Sequence, residues 1–173
     1  MHQALTRLIR DVPDFPKPGI VFKDITPLLQ DAEGFQAAIR ALAEQATAMA
    51  PDAFLGIESR GFLFAGALGY RQERGVLIAR KPGKLPYRAD RVSYDLEYGS
   101  ASLELHVDAV SAGQRVVVVD DLLATGGTAA AAAELVTRQG GVVAGFLFLV
   151  ELEFLGGRRR LAGAPVASVL RYA

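Results

Sequence analysis

The hydrophobic residues of this chain follow two patterns that alternate along it. Between positions 31 and 49 apolar residues recur every three or four positions, and this spacing predicts an amphipathic helix that ends before Pro51. Further helices are predicted from Phe62 to about Gln72, and after residue 128 as far as about Gln139. Short continuous apolar runs predict buried strands at 53–57, 76–79, 116–119, 142–150 and 166–170.

This order of strands and helices predicts an α/β fold with a central, mostly parallel sheet flanked by helices. Residues 80–99 interrupt the pattern with charge, proline and glycine, and we expect them to leave the sheet and close a hairpin with residues 102–107. The sequence has no internal repeat or low-complexity linker, so residues 1–173 are expected to form a single domain. Because parallel sheets bind ligands beyond the carboxyl ends of their strands, a site is expected in the loops after Ile57, Ala79, Val119 and Val150.

Composition narrows the classes of function. With 19 basic and 19 acidic side chains the formal net charge is zero, so no bulk attraction to nucleic acid or to an anionic membrane is expected. The chain has no cysteine, which excludes disulfides and cysteine nucleophiles, and its two histidines, His2 and His106, make a histidine-rich zinc site improbable. The N-terminal residues lack the apolar core of a signal peptide, and no apolar run reaches the ~20 residues that span a bilayer. We therefore expect a cytoplasmic protein.

The strongest chemical signal is the segment VVVVDDLLATGGT at 116–128. A predicted buried strand ends in two carboxylates, a loop of small residues follows, and a helix then begins. Glycines allow close approach of the backbone to an anion, and the free amides of a helix start favour that anion. The carboxylates can accept hydrogen bonds from a sugar diol and hold magnesium through water. The segment predicts a site for ribose 5-phosphate made by Asp120, Asp121, Ala124, Thr125, Gly126, Gly127 and Thr128.

Simpler interpretations of this segment explain less of it. Asp121 could only cap a helix and the Gly-Gly-Thr sequence could only form a turn, but neither role needs two acids, two threonines and two glycines in this order. The loop lacks the lysine of a nucleoside triphosphate-binding P-loop, and no dinucleotide-type GxGxxG sequence follows a predicted strand. Nucleotide triphosphatases and dehydrogenases are therefore disfavoured.

The same segment resembles the phosphoribosyl-pyrophosphate-binding signature of the type I phosphoribosyltransferase family. Four further segments resemble its adenine-specific members: FPKPGIVFKDITPLL at 15–29, IESRGFLF at 57–64, RKPGKLP at 80–86 and DLEYG at 95–99. The resemblance covers most of the chain. It implies the type I phosphoribosyltransferase fold, magnesium-dependent transfer of the phosphoribosyl group to adenine with release of AMP and pyrophosphate, and a homodimer. The alternatives are a phosphoribosyltransferase for hypoxanthine, guanine or xanthine, and a non-catalytic regulator that senses phosphoribosyl pyrophosphate.

The resemblance also implies roles for residues outside the phosphate loop. A flap at about 12–29 would cover the base and a flexible lid at about 80–107 would close over the site, with Tyr98 in the lid. Magnesium would be held mainly by the substrate pyrophosphate and water, without direct protein ligands. The implied contacts are Val21, Phe22 and Lys23 with adenine, and Ser59, Arg60, Arg80, Lys81 and Lys84 with pyrophosphate. The implied catalytic residues are Arg60, Asp120, Asp121 and Glu97, with Glu97 handling the proton of the purine.

Without the resemblance, these residues have ordinary interpretations as well. Arg60 fits an anion ligand and a solvated helix start equally, and Phe22 would be taken for a core phenylalanine. The basic residues at 80–84 form a pattern typical of a solvated surface, and Glu97 has the character of a solvated loop residue. Lys23 stands where many members of the family have arginine, so the resemblance implies backbone contacts there and leaves its side chain without an assigned role.

Overall fold

A computed structural model describes residues 2–95 and 100–173, and its centre is a parallel β-sheet. Two short 3-10 turns, Glu153–Leu155 and Gly157–Leu161, precede the last strand. The elements are α1 (His2–Thr6), β1 (Arg10–Pro13), β2 (Val21–Asp24), α2 (Thr26–Gln30), α3 (Ala32–Thr47), β3 (Ala53–Ile57), α4 (Gly61–Gln72), β4 (Gly75–Ala79), β5 (Ala89–Asp95), β6 (Ser100–His106), β7 (Arg115–Leu123), α5 (Gly127–Arg138), β8 (Val142–Leu152) and β9 (Val166–Tyr172).

The central sheet has the strand order β4-β3-β7-β8-β9, and all its described pairings are parallel. The predicted α/β fold and its strands are therefore confirmed. The four valines at 116–119 are completely buried in the middle strand, because helices cover both faces of the sheet. The five residues of β3 beside them are buried too.

The predicted end of the middle strand at Val119 was wrong. β7 continues to Leu123, and its pairing with β8 extends to Leu122 opposite Val150 and Leu123 opposite Glu151. Asp120 and Asp121, predicted at the very end of the strand, are therefore followed by two further strand residues, Leu122 and Leu123. Pairing with the neighbouring strand extends β7 through these residues, although two adjacent aspartates have a low propensity for β-strand in their local sequence.

Two apolar layers hold the helices against the sheet. On one face α3 and α4 pack with Leu28 of α2 against inward residues such as Phe54 and Leu147. On the other face α5 packs with the β5–β6 hairpin against residues such as Val118. α3 starts where Asp31 accepts a 2.6 Å hydrogen bond from the Gly34 amide, which is an ordinary helix N-cap.

Two hairpins lie outside the sheet. β5 and β6 pair antiparallel from Ala89 opposite His106 to Asp95 opposite Ser100, which confirms the predicted hairpin. β1 and β2 form a second antiparallel pair, which the hydrophobic pattern did not predict because none of its residues is buried. Among the residues that the structure describes, no helix is long and apolar enough to cross a bilayer.

Candidate active site

The carboxyl ends of β3, β4 and β7 open onto one cavity of about 740 Å³. The turn after β3, the start of the lid, the hairpin and the start of α5 enclose it, as expected for a parallel sheet. The cavity brings together residues that are far apart in sequence. Its walls are made by Glu58, Ser59, Arg60, Lys81, Pro82, Tyr94, Ser100, Ala101, Ser102, Leu103, Asp120, Asp121 and Thr128.

The two neighbouring aspartates carry the strongest electrostatic feature of the cavity. Asp121 is buried, and Asp120 is half-buried beside it, with its Oδ1 accepting a 2.9 Å hydrogen bond from the Asp121 amide. Burial raises the pKa of Asp120 well above its ordinary value, and the charge of Asp121 raises it further. Two adjacent carboxylates in one wall thus favour a ligand that brings hydrogen-bond donors or positive charge.

Arg60 provides the nearest positive charge to this pair. Its Nε lies 2.6 Å from Asp121 Oδ2, and 42% of its side chain is exposed. The contact is an ion pair without a well-directed hydrogen bond, so Asp121 Oδ2 has no hydrogen-bond donor among the described residues. The Oδ2 atom is enclosed by the protein, and the guanidinium of Arg60 supplies the charge that compensates for its burial.

Gly61 is needed to bring α4 this close to β7, a role that no local pattern in the sequence predicts. A Cβ atom at this position would lie 2.7 Å from the Val119 carbonyl oxygen and 3.0 Å from Asp120 Oδ1. A Cβ at Gly56 in β3 would meet the Gly61 carbonyl oxygen at 3.0 Å. Both glycines therefore allow the close packing that sets Arg60 against Asp121.

The loop predicted to bind phosphate lies between β7 and α5. Gly126 has φ +79°, a left-handed conformation that glycine adopts without strain, and it is the N-cap of α5. Residues 124–128 line a small cavity of about 70 Å³ together with Asp120. Thr128 Oγ1 donates a 3.1 Å hydrogen bond to the Tyr94 hydroxyl of the hairpin, a contact that the sequence did not predict.

The basic residues predicted to grip pyrophosphate have different surroundings. Lys81 lines the main cavity with Ser59 and Arg60, whereas Lys84 is not among the residues that line it. Arg80 donates to Glu58 Oε2 at 3.2 Å and to the Lys84 carbonyl oxygen at 3.0 Å. Its guanidinium is thus already engaged in holding the start of the lid.

Glu58 organises this side of the cavity. Its Oε2 accepts a 2.9 Å hydrogen bond from the Lys81 amide, in addition to the bond from Arg80. The Lys81 amide and the Arg80 guanidinium together keep the pKa of Glu58 below its ordinary value, so this carboxylate is charged at neutral pH. The peptide bond between Glu58 and Ser59 is cis.

The residues predicted to bind a base lie on β2, next to Arg60. The Phe22 ring packs edge-on against Phe15, with 5.2 Å between ring centroids, and Arg60 Cζ lies 5.4 Å from the Phe22 centroid. Val21 is half exposed. The aromatic side chain of the flap and the carboxylate pair of β7 are therefore linked through one guanidinium.

Lys23, for which no side-chain role was assigned, holds the flap in place. Its Nζ lies 2.6 Å from Asp11 Oδ1 of β1 and 4.1 Å from the centroid of the Tyr172 ring in β9. The ammonium group therefore joins both strands of the flap to the last strand of the sheet. Lysine suits this position because a compact ammonium can meet a carboxylate and a ring face together.

Two predicted residues, Glu97 and Tyr98, lie outside the described part of the chain. The hairpin strands on either side are described up to Asp95 and from Ser100, and Ser100 lines the cavity. Their roles stay predictions.

No cluster of three or more histidine, cysteine or carboxylate side chains that could hold a metal occurs within residues 2–95 and 100–173. The donor set that faces the cavity is nonetheless chemically suited to magnesium. Asp120 and Asp121 offer carboxylate oxygens and Ser59 a hydroxyl, the hard oxygen donors that magnesium accepts directly or through its water shell.

Comparison with known proteins gives one consistent family. Residues 28–158 match the model of the phosphoribosyl transferase domain. An adenine phosphoribosyltransferase of Rubrobacter xylanophilus is 54% identical over 171 residues, which are 98% of this chain and 92% of the relative.

Solved structures agree with this. The crystal structure of adenine phosphoribosyltransferase from Thermoanaerobacter pseudethanolicus has a TM-score of 0.97 and 49% identity, covering 99% of this chain and 100% of that one. The Saccharomyces cerevisiae adenine phosphoribosyltransferase, solved with an imino-altritol bisphosphate and adenine, has a TM-score of 0.91 and 39% identity, covering 98% of each chain.

The aspartate pair generates a prediction about stability. Asp120→Asn keeps the shape of the side chain and removes a charge that burial and Asp121 disfavour. We expect the variant to unfold at a Tm about 2–4 °C higher at neutral pH without ligand, the shift that about 1 kcal/mol produces in a chain of this size. Thermal denaturation followed by circular dichroism measures it, with Asp108→Asn at an exposed position as the control.

The direction in which the stability effect of Asp120→Asn changes with pH follows from the raised pKa of Asp120. The pKa of Asp120 is raised in the folded state. Its carboxyl therefore contributes most to stability at pH values below its pKa in the unfolded chain, and this contribution is lost as the pH rises through its pKa in the folded protein. The Tm difference between Asp120→Asn and the unmodified protein should therefore shrink as the pH is lowered from about 8 to about 4.5. A difference that stays constant over this range would contradict the raised pKa.

Proposed function

The chain belongs to the adenine phosphoribosyltransferase family, and on this premise we propose that it transfers the 5-phosphoribosyl group of phosphoribosyl pyrophosphate to adenine, giving AMP and pyrophosphate in purine salvage. The observation that carries the proposal is the pair of adjoining cavities, both lined by Asp120 and Thr128, around which the aspartate pair, the glycine-rich loop and the cationic side chains are gathered. Those groups match the diol, the phosphate and the leaving group of that substrate.

The reaction replaces pyrophosphate with a ring nitrogen of adenine at the anomeric carbon of the ribose. Positive charge develops on the sugar while negative charge grows on the departing pyrophosphate, so catalysis depends on position and electrostatics. Asp120 and Asp121 would accept hydrogen bonds from the ribose hydroxyls and lie near the developing positive charge. The position of both aspartates in the wall of the main cavity supports this assignment.

The 5′-phosphate would bind to residues 124–128. Their left-handed Gly126 and the start of α5 leave backbone amides available to an anion, and the helix dipole adds to the attraction. The Thr128 hydroxyl would turn from Tyr94 toward the phosphate. Binding of the phosphate would then release one contact between the hairpin and α5.

The departing pyrophosphate would meet Ser59, Arg60 and Lys81 in the main cavity. Arg80 would serve less directly because its guanidinium is bonded to Glu58 and to the Lys84 carbonyl oxygen, and Lys84 because it does not line this cavity. Bound magnesium would neutralise charge on the pyrophosphate, with water in its shell reaching Asp120 and Asp121.

Adenine would lie against the flap, with Phe22 packing on the ring and Val21 and Lys23 offering backbone groups. The contact of Phe22 with Arg60 supports this location, because it puts the flap beside the sugar site. Glu97 would take or hold the proton of the purine once the lid closes with Tyr98, and closure would exclude water that could hydrolyse the activated sugar.

We also propose a homodimer in which α4 and β4 face a second copy of the chain. The α4 sequence carries no charged residue from Gly61 to Tyr70, yet its outer face exposes Leu63, and Tyr70 is 90% exposed. Val76 and Ile78 continue this face on the edge strand of the sheet. A helix that is apolar on all sides is usually buried, and a second copy would bury the outer side. The cytoplasmic location stays a prediction from the sequence.

Base choice is the direct test of the proposed function. The protein is incubated with phosphoribosyl pyrophosphate, magnesium and one purine base at a time, and the nucleotide is identified by chromatography. Adenine should react with a kcat/KM at least ~100-fold above hypoxanthine or guanine, because the wrong base leaves buried polar groups unpaired. Comparable rates with guanine would remove the adenine assignment, and the absence of any nucleotide would remove the transferase proposal.

The role of Glu97 is tested by Glu97→Gln, which keeps the size of the side chain and removes its charge and basicity. We expect the single-turnover rate to fall about 100-fold or more, the usual scale for a positioned acid–base group. The KM for phosphoribosyl pyrophosphate should change far less, because its proposed phosphate site lies on another loop. Glu44→Gln, at an exposed position of α3, is the matched control. A normal single-turnover rate would show that another group handles the proton.

The dimer is tested by Tyr70→Glu, which puts a charge in the middle of the exposed α4 face. Light scattering after size exclusion should give the unmodified chain twice its 18.4 kDa mass and the variant a mass near that of one chain. Tyr87→Glu, on an exposed tyrosine of the lid, should stay dimeric. A monomeric unmodified chain, or a dimer in both variants, would contradict the proposal.

A further inference from the structure

Glu151 is a buried carboxylate that the proposed chemistry does not use. It lies near the end of β8 with 3% exposure and does not line either cavity of the proposed site. Ser168 of β9 donates a 2.7 Å hydrogen bond to its Oε2. Hydrogen bonds from Arg158 and Ser168 hold its pKa below the ordinary value, so the charge is retained inside the protein at neutral pH.

The partner of this carboxylate is Arg158, which belongs to the 3-10 turn after β8. Arg158 Nε donates to Glu151 Oε1 at 2.9 Å and Nη2 donates to Oε2 at 2.5 Å, the bidentate geometry of a strong charge-assisted pair. Its Nη1 donates to the Val166 carbonyl oxygen at 2.5 Å. One guanidinium therefore ties the turn to both β8 and β9.

The turn held in this way packs directly against the backbone of the proposed phosphate loop. A Cβ atom at Gly157, next to Arg158, would lie within van der Waals overlap of the Ala124 carbonyl oxygen and 2.9 Å from the Gly126 amide nitrogen. A Cβ at Gly126 would lie 2.6 Å from the Gly157 carbonyl oxygen. The two backbones thus touch with no side chain between them, so a shift of the turn must displace the loop.

We propose that the Glu151–Arg158 pair is a positioning device for the phosphate loop, holding the turn at Gly157 so that the loop amides stay aimed at the 5′-phosphate. This rests on the proposed function of residues 124–128. The pair acts through the loop backbone and does not touch the substrate. An amide cradle needs such support because a displacement near 1 Å in a bound group lowers rates by about 100-fold.

A merely stabilising role fits the arrangement less well. A buried ion pair is costly to desolvate and is often replaced by apolar residues without loss of stability. Here the charge is joined to one turn by two parallel hydrogen bonds, and that turn meets the part of the loop where the backbone conformation is left-handed. The geometry thus favours a defined loop position over general stability.

The test compares Glu151→Gln and Arg158→Lys with Arg171→Gln in the full-length protein. Arg171 of β9 lies 3.8 Å from the same carboxylate and 3.7 Å from Glu153 of the preceding turn, so its variant alters the charge near Glu151 and leaves the hydrogen bonds between Glu151 and Arg158 intact. The KM for phosphoribosyl pyrophosphate and for adenine are measured by initial rates, the Kd for AMP by calorimetry, and the Tm by thermal denaturation.

We expect Glu151→Gln to raise the KM for phosphoribosyl pyrophosphate about tenfold and to weaken AMP binding to a similar degree, with the KM for adenine unchanged within about twofold. Arg158→Lys, which keeps the charge and loses the planar fork, should show the same split more weakly and keeps the test valid if Glu151→Gln does not fold. Arg171→Gln should behave as the unmodified protein.

Two results would overturn the inference. One is a lower Tm in Glu151→Gln and Arg158→Lys with a KM for phosphoribosyl pyrophosphate no different from that of Arg171→Gln. The other is an equal rise in both KM values, which would indicate general damage. Thr128→Val distinguishes failure of the positioning role from failure of the proposed phosphate site. If Thr128→Val raises the KM for phosphoribosyl pyrophosphate and Glu151→Gln and Arg158→Lys do not, the positioning role alone fails. If Thr128→Val also has no effect, the loop assignment itself is wrong.

Discussion

The structure around the proposed site depends on keeping two adjacent carboxylates, Asp120 and Asp121, at the end of the middle strand. Side chains alternate across a strand, yet both of these line the same cavity beside the start of α4. Their charges repel, and burial adds to the cost, as the raised pKa of Asp120 indicates. Arg60 offsets part of this cost, and Gly61 gives α4 the close approach that lets Arg60 do so.

A second set of carboxylates holds the loops around this pair. Glu58 binds the backbone at Lys81, Glu104 binds the Gly83 amide at 2.9 Å together with the Arg91 guanidinium, and Glu151 binds Arg158. All three glutamates have lowered pKa values because they accept hydrogen bonds from cations or amides. Their contribution to stability is present at neutral pH and is lost as the pH falls through the folded pKa values. The loops around the proposed site are thus held in place by ion pairs and hydrogen bonds to these three glutamates.

The described parts of the β5–β6 hairpin contact the phosphate loop and α5. Tyr94 meets the Thr128 hydroxyl, and at the base of the hairpin Gln139 after α5 donates to Asp90 Oδ2 at 2.9 Å and to the His106 carbonyl oxygen at 2.8 Å. The described hairpin is therefore joined to α5 at its base through Gln139 and near the cavity through Tyr94, with Val92 and Leu103 packed in the same apolar layer as α5.

The sequence alone predicted the central strands, the helices between them and the position of the phosphate loop. Each of these has a local signal: a continuous apolar run, helical spacing or a glycine-rich turn. The exposed β1–β2 pair lacks such a signal, and the length of β7 depends on pairing with β8, which local polarity at Asp120 concealed. The Arg60–Asp121 pair, the contact of Lys23 with Tyr172 and the packing of Gly157 on Gly126 were decided only by the tertiary structure. Each joins residues about thirty to 150 positions apart, and a close contact at such separation depends on how the whole chain folds and leaves no pattern in the neighbouring sequence.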